Sequence, residues 1–155
     1  YFSSEVYYSS IQDAAPFGND EGSDALWELS DLLRRRPKAD LTNYPASLLM
    51  KLYHLPFCPP KGETKEELEA QRGITLGDRD TLEQLRRTDR VIVALALAQV
   101  KITGELSKQL YELALRSLER LGKLKSIGVT VRCSVELLAE ERSDLETYAS
   151  SVPLV

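Results

Sequence analysis

A stretch of mostly apolar residues, VIVALALAQV from Val91 to Val100, limits what this chain can fold into more than any other part of it. It is about half as long as the roughly 20 residues that a membrane-spanning helix needs. It continues a helical pattern that opens at Asp80-Thr81-Leu82-Glu83, which is typical of a helix start, and extends to about Lys101. Because the second half of this helix is apolar on nearly every side, other elements must surround it. We therefore predict a central, buried helix over residues 80–101.

The segment after Gly104 supplies a partner for this central helix. Its apolar residues recur at the three- and four-residue spacing of a helix with one buried stripe. They are Leu106, Leu110, Leu113, Ala114, Leu118 and Leu121. Two long helices joined by a short link that contains glycine are typical of an antiparallel hairpin. We predict that residues 80–101 and 105–121 form the core hairpin of the fold.

Another helix is predicted near the start of the chain. Residues 18–23 are rich in turn-forming side chains, and Ser23 or Asp24 is placed to cap the helix that follows. Apolar residues at helical spacing extend from there to about residue 36. Pro37 then ends the pattern, because proline cannot continue a helix without a break.

Two more helices are predicted between this helix and the hairpin. Residues 40–55 carry apolar positions at helical spacing, and Pro45 suits the first turn. Residues 56–62 contain three prolines and a glycine, which indicates a rigid, irregular loop. Thr64, with Glu67 three positions later, has the form of a capping box and predicts a short helix.

The last part of the chain mixes two patterns. Residues 127–133 alternate β-branched with other side chains, which predicts a short strand, and residues 136–148 return to helical spacing. The ends, 1–15 and 149–155, are expected to be loosely ordered. The whole chain, 1–155, is thus predicted to be a mostly α, single-domain helical bundle of five or six helices with at most a minor β element.

The composition of the chain limits the classes of function that we expect for it. The chain of 155 residues is 43% hydrophobic and has a net charge of −4, which argues against nucleic-acid binding, since that needs a basic face. With one histidine and no close pair of cysteines, we expect no metal site and no cofactor. Cys58 and Cys133 are expected to be free thiols in the cytoplasm, and a disulfide in a secreted protein is the alternative.

The segment PFGNDEGSDALW, residues 16–27, is the candidate functional site. Its acids do not fit the alternating ligand positions of a calcium-binding loop. One interpretation is structural: a tight turn whose acids favour the positive end of a helix dipole. The other is an exposed acidic and aromatic surface that holds a basic protein partner. The predicted contact residues are Phe17, Asp20, Glu21, Asp24 and Trp27.

Two further functions are open from the residues alone. One is a small-ligand-binding protein or enzyme with a pocket around His54, Asp20 and Asp24, to which Tyr53 would also contribute. A Cys58–His54 nucleophile pair would need a third group to orient the histidine, and none is evident. The other is a structural subunit that oligomerises through the apolar central helix.

Residues 7–22, YYSSIQDAAPFGNDEG, resemble the opening of the YfeS-like uncharacterised bacterial proteins. Those proteins carry a similar aromatic, then APFG, acidic and glycine segment ahead of an acidic helix. The resemblance covers about residues 7–33 and implies no catalytic residues, because it brings no established activity with it.

Small, acidic, α-rich chains without site motifs are also similar in kind to immunity proteins of bacterial toxin systems. By this analogy, we expect a protein partner with a basic surface, such as a toxin that the chain neutralises by direct contact.

Overall fold

The computed structural model describes residues 2, 4–9 and 12–155. Within them the chain forms a short 3-10 helix, six α-helices and one two-stranded antiparallel hairpin. In chain order these are the 3-10 helix Glu5–Tyr8, α1 Asp20–Arg35, α2 Tyr44–Tyr53, α3 Lys65–Glu69, β1 Thr75–Leu76, β2 Arg79–Asp80, α4 Thr81–Thr103, α5 Lys108–Ser126 and α6 Val135–Ser151. This confirms the predicted mostly α fold with a minor β element.

α4 is the central helix. The Asp80 side chain caps its start by accepting a hydrogen bond from the backbone N–H of Glu83 (3.2 Å), and Gly104 ends it in the left-handed conformation (φ 67°). Every residue from Val91 to Val100 is buried, and α1, α2 and α5 pack directly on this helix. The predicted central helix is therefore confirmed. Among the described residues, no helix is long and apolar enough to cross a membrane.

α5 completes the predicted hairpin. It follows α4 after residues 104–107 and makes the most extensive interhelical contact of the fold with it. The side chain of Ser107 accepts a hydrogen bond from the backbone N–H of Leu110 (3.2 Å), so the helix begins three residues later than predicted. α6 and α3 pack on α5, and residues of all six helices enter one hydrophobic core.

α1 begins earlier than predicted, because its N-cap is Asn19 and not Ser23 or Asp24. The Asn19 side chain accepts a hydrogen bond from the backbone N–H of Gly22 (2.8 Å). Its amide also donates to two carbonyl oxygens of the preceding loop (3.0 and 3.2 Å), which fixes Asn19 between loop and helix. Most of the predicted turn over residues 18–23 is consequently the first turn of α1.

α2 and α3 begin at the residues that the sequence predicted for their first turns. Pro45 lies in the first turn of α2, which is shorter than the predicted 40–55, and residues 56–62 form an irregular loop as predicted. At α3 the Thr64 hydroxyl accepts from the N–H of Glu67 (3.1 Å), and the Glu67 carboxylate accepts from the N–H of Thr64 (3.0 Å). The capping box is therefore confirmed.

The predicted strand over residues 127–133 is wrong. This segment is irregular, and the N–H of Val129 bonds back to the carbonyl of Leu124 in α5 (3.0 Å). Val131 and Cys133 are buried while their neighbours are exposed. The alternation in the sequence therefore reflects which side chains are buried, although this segment pairs with no strand. The two-residue strands β1 and β2 lie elsewhere, in an exposed hairpin.

The two ends of the chain are more structured than expected. Tyr7 lies in the 3-10 helix and is buried, whereas residues 1, 3, 10 and 11 of the predicted loose start lie outside the described residues. α6 continues to Ser151. Beyond it, Val155 donates to the carbonyl of Leu106 (3.0 Å) and accepts from the N–H of Lys108 (2.9 Å), so the final residues are held against the start of α5.

Candidate functional site

The glycines of the segment from residue 16 to residue 27 are explained by close backbone packing. A Cβ atom on Gly18 would lie 1.8 Å from the carbonyl oxygen of Gln12, and one on Gly22 would lie 1.7 Å from that of Pro16. No side chain larger than hydrogen fits at either position without a backbone shift. Phe17, between the two glycines, is only 4% exposed and belongs to the core. It is therefore not available to contact a partner.

Glu21 also has a structural role, because it pairs with arginines inside the fold. Its carboxylate is buried and pairs with the guanidinium groups of Arg86 (3.1 Å) and Arg87 (3.2 Å) at the start of α4. Burial alone would raise the pKa of Glu21, but its own backbone N–H and the two arginines outweigh burial and hold that pKa below its usual range. Glu21 thus joins α1 to α4 and offers no free charge at the surface.

Two other acids of α1 are neutralised within the fold. Glu28 pairs with Lys51 of α2 (2.5 Å), and Asp31 pairs with Arg34 and Arg35 of its own helix (both 2.7 Å). Much of the acidic character of α1 is therefore balanced by cations at its own C-terminal end and on α2 and α4.

Asp20 and Asp24 differ from those acids. Asp20 is exposed and forms no ion pair with any residue that the structure describes. Asp24 is half-buried and accepts a hydrogen bond from the Tyr53 hydroxyl (3.1 Å), but it too has no cationic partner among the described residues. The guanidinium of Arg87 lies over the Tyr53 ring, 4.9 Å from its centroid. Tyr53 thus links Asp24 to Arg87, which pairs with Glu21.

Trp27 is the most exposed large hydrophobic side chain of α1, at 65%. Asp24 precedes it by three residues and Asp20 by seven, so all three share one face of a regular helix. We call Asp20, Asp24 and Trp27 the Trp27 face. The structure brings these three predicted contact residues together at the surface, and it places the other two, Phe17 and Glu21, inside.

The residues of the alternative pocket are less closely associated. His54 is exposed and ends α2 in the left-handed conformation (φ 52°), and it forms no hydrogen bond or ion pair with a carboxylate of the described residues. Tyr53 is the residue that reaches Asp24. Both cysteines are free thiols. Val91–Val100, on which the oligomerisation alternative depends, is buried within the chain.

A buried arginine that sequence reasoning missed holds the proline-rich loop. Arg120 of α5 makes two hydrogen bonds to Asp89 of α4 (both 2.8 Å) and one to Glu63 (2.8 Å). It also donates to the carbonyl oxygens of Cys58 (2.8 Å) and Pro59 (3.2 Å), so all five of its N–H groups are used. An aspartate inside the apolar pattern of α4 was the available signal. No group of three or more potential metal ligands occurs among the described residues.

A cleft of about 540 Å³, also missed, lies between the α1–α2 connection, the end of α4 and the start of α5. Its apolar wall includes Leu33 and Leu41, and its polar wall includes Gln99, Lys38 and Lys108. These residues come from three separated parts of the chain. No local motif marks them, which is why the sequence did not indicate the cleft.

Comparison with known proteins finds a relative in Escherichia coli (strain K12), described as "Uncharacterized protein YfeS", with 27% identity over 120 residues. The chain resembles YfeS. The match confirms the resemblance inferred from residues 7–22 and extends well beyond residues 7–33, because it covers 77% of the chain. The chain spans about half the length of YfeS, 47% of which is matched. No family model and no solved structure matches the chain.

Proposed function

We propose that the chain is a non-enzymatic protein-binding module and that the Trp27 face is its contact surface. The observation that carries the proposal is the 65% exposed indole of Trp27 on a regular helix of 16 residues. Tryptophan is highly buried on average and is enriched among the few residues that dominate binding energy at interfaces. A helix also fixes the backbone that carries the indole, so binding has to order only the two side-chain torsions of Trp27.

The charges of the same face favour a basic partner. Asp20 and Asp24 have no cationic partner among the described residues, unlike the neighbouring acids of α1. A partner that receives the indole in an apolar pocket and presents lysine or arginine beside it would complement this face in shape and charge. A bacterial toxin with a basic surface is the partner class that the immunity-protein analogy suggests.

The test uses the fact that Trp27 is the single tryptophan of the chain. A photo-crosslinking residue at position 23, one turn from Trp27, is used to isolate the partner from the source organism. With the purified partner, we expect a blue shift of the Trp27 emission on binding, because the indole leaves water. The Trp27→Ser variant should bind about tenfold or more weakly, as at a typical hot spot.

Two further variants make the test specific. Asp20→Asn with Asp24→Asn keeps the hydrogen bond from Tyr53 possible and should mainly slow association at low salt. Val135→Ser removes another exposed side chain, 60% exposed on α6, and should leave binding unchanged. A partner that binds the wild type and Trp27→Ser equally, with no change in Trp27 emission, would contradict the proposal.

A further inference from the structure

The charges of α1 are distributed unevenly along the helix. It begins with the acids Asp20 and Glu21, and no lysine or arginine occurs in the chain before Arg34. The basic segment RRRPK, residues 34–38, then follows at the end of the helix. Trp27 lies at the middle of the 16 residues of α1. The helix therefore begins acidic and ends basic, with the exposed indole midway between the two charges.

Arg34 extends the Trp27 face towards the end of the helix. It follows Trp27 by seven residues, as Trp27 follows Asp20 by seven, and seven residues are close to two helical turns. The side chain of Arg34 is 80% exposed and pairs with Asp31 of its own helix (2.7 Å). Asp31 also pairs with Arg35 (2.7 Å), so it keeps a cation when Arg34 binds another carboxylate. Arg34 is therefore available to a partner at this surface.

The side of α1 that carries Trp27 is open to a second helix. Ser23 precedes Trp27 by four residues and Ser30 follows it by three, so both lie beside the indole on the helix surface. Serine is small, which leaves room for another helix to approach. Asp20, Ser23, Trp27 and Arg34 are all exposed, so no other element of the described residues covers this strip.

We propose that the Trp27 face binds a second copy of the chain, with the two α1 helices antiparallel about a two-fold axis close to Trp27. The axis brings the indoles of the two copies together. It also places Asp20 of each copy beside Arg34 of the other, because the two residues are equally far from Trp27 along the helix. Asp20 has no cationic partner among the described residues, so this ion pair replaces no existing contact of that acid.

The charges determine both the occupant and its orientation. In a parallel pair of α1 helices, Asp20 would meet Asp20 and Arg34 would meet Arg34, and like charges repel. The antiparallel pair joins opposite charges at both ends. This inference rests on the proposed function, because both use the Trp27 face, and it identifies the basic partner as a second copy. A contact limited to one pair of helices is small for a stable dimer, so we expect a micromolar Kd.

Sedimentation velocity of the wild type, from micromolar to millimolar concentration, measures the self-association. We expect the mass to rise from one chain to two across this range. Over the same concentrations the emission of Trp27, the single tryptophan of the chain, should shift to the blue, because the indole leaves water at the axis. The Trp27→Ser variant should dimerise about tenfold or more weakly.

The deciding experiment exchanges the charges. Asp20→Lys opposes two cations at both ends of the dimer, and Arg34→Glu opposes two acids, so each variant alone should have a Kd about tenfold or more above that of the wild type. An equimolar mixture of the two restores opposite charges at both ends and should form a heterodimer with a Kd within about threefold of the wild type. Native mass spectrometry with one variant ¹⁵N-labelled identifies it.

Two controls accompany the exchange. Both substituted positions are exposed, so each variant should keep the circular dichroism spectrum of the wild type, and recovery on mixing itself requires that both are folded. Arg116→Glu makes the same change of charge at an exposed position of α5, away from this face, and should leave the Kd unchanged.

A wild type that stays monomeric at millimolar concentration would overturn the inference. So would single variants that dimerise as the wild type does, or a mixture that forms no heterodimer. If the wild type is monomeric and Trp27→Ser still weakens binding of another protein, this inference fails and the proposed function stands. If the dimer follows the charge exchange but crosslinking isolates no other protein, this inference is supported and the proposed toxin-like partner fails.

Discussion

Gly22 is confined by the backbone of the loop that precedes α1. A Cβ atom there would lie 1.7 Å from the carbonyl oxygen of Pro16 and 2.7 Å from its carbonyl carbon. Both contacts are with backbone atoms, which cannot turn aside as a flexible side chain can. The glycine is therefore required by packing. Its backbone N–H also donates to the side chain of Asn19, which caps the helix.

We expect Gly22→Ala to lower the free energy of unfolding by about 2–3 kcal/mol, the usual cost of forcing extra atoms into a well-packed site. Urea denaturation monitored by circular dichroism measures it. Ser23→Ala, at the next and exposed position, serves as the control and should change stability by less than about 0.5 kcal/mol. Equal stability of the two variants would show that the loop does not approach α1 this closely.

At the scale of elements, the Arg120 network joins the proline-rich loop to the core hairpin. Arg120 and Asp89 are 3% and 0% exposed, so neither charge is solvated when its partner is removed. Breaking a buried ion pair from one side leaves an uncompensated charge, which costs more than the pair contributes. The loop from Pro56 to Gly62 depends on this pair, because Arg120 also binds its carbonyl oxygens.

We expect Arg120→Ala to lower the free energy of unfolding by about 3–5 kcal/mol. In a double-mutant cycle with Asp89→Ala, the double variant should lose at least about 1 kcal/mol less than the sum of the single losses. The exposed Arg116→Ala, one turn earlier on α5, is the control for loss of an arginine. Additive losses in the cycle would contradict direct pairing.

At the scale of the whole molecule, the buried pair of Glu141 and Arg90 makes the stability of the fold depend on pH. Glu141 of α6 is fully buried and lies 3.6 Å from Arg90 of α4, and neither carboxylate oxygen accepts a hydrogen bond from a described residue. Burial raises the pKa of Glu141 to about 7, with Arg90 opposing and the nearby Glu140 and Asp144 adding to the rise. A carboxyl group with a raised pKa makes folding take up a proton.

The sign of the pH dependence follows from this shift. The stabilisation by protonated Glu141 is complete below its ordinary pKa of 4.5 and is lost as the pH rises through about 7. We expect the free energy of unfolding of the wild type to fall relative to that of Glu141→Gln between these values. The relative change should be about 1–3 kcal/mol.

Urea denaturation at several pH values between 4.5 and 8 measures the difference. Burial also raises the pKa of Asp89, but that residue is present in both proteins, so its contribution cancels in the comparison. Glu140→Gln, on the exposed side of α6, should keep most of the wild-type slope. Parallel profiles of the wild type and Glu141→Gln would disprove a buried, titrating Glu141.

The features that were predicted correctly depend on residues close together in the chain. The capping box of Thr64 and Glu67, the first-turn Pro45 and the apolar stretch Val91–Val100 all act within one or a few helical turns. The pattern over residues 127–133 was misread for a related reason: alternation shows which side chains are buried and does not show whether a neighbouring strand exists.

The candidate site was predictable only in part. Trp27, Asp20 and Asp24 share a helix face because of their spacing in the sequence, which needs no tertiary information. Glu21 stands between them in the sequence, yet it is buried against Arg86, 65 positions away. Nothing local distinguishes an acid that pairs internally from one that stays free.

Helix formation and the choice of a buried central helix thus followed from short-range patterning, since capping and periodic burial act over a few residues. The tertiary structure decided which charges are neutralised, which glycines meet another backbone, and where a cleft forms beside Gln99. These outcomes depend on groups that are distant in the chain and meet only when the helices pack. Their energies come from desolvation and from contacts that form only when the helices pack, so no single segment of the sequence determines them.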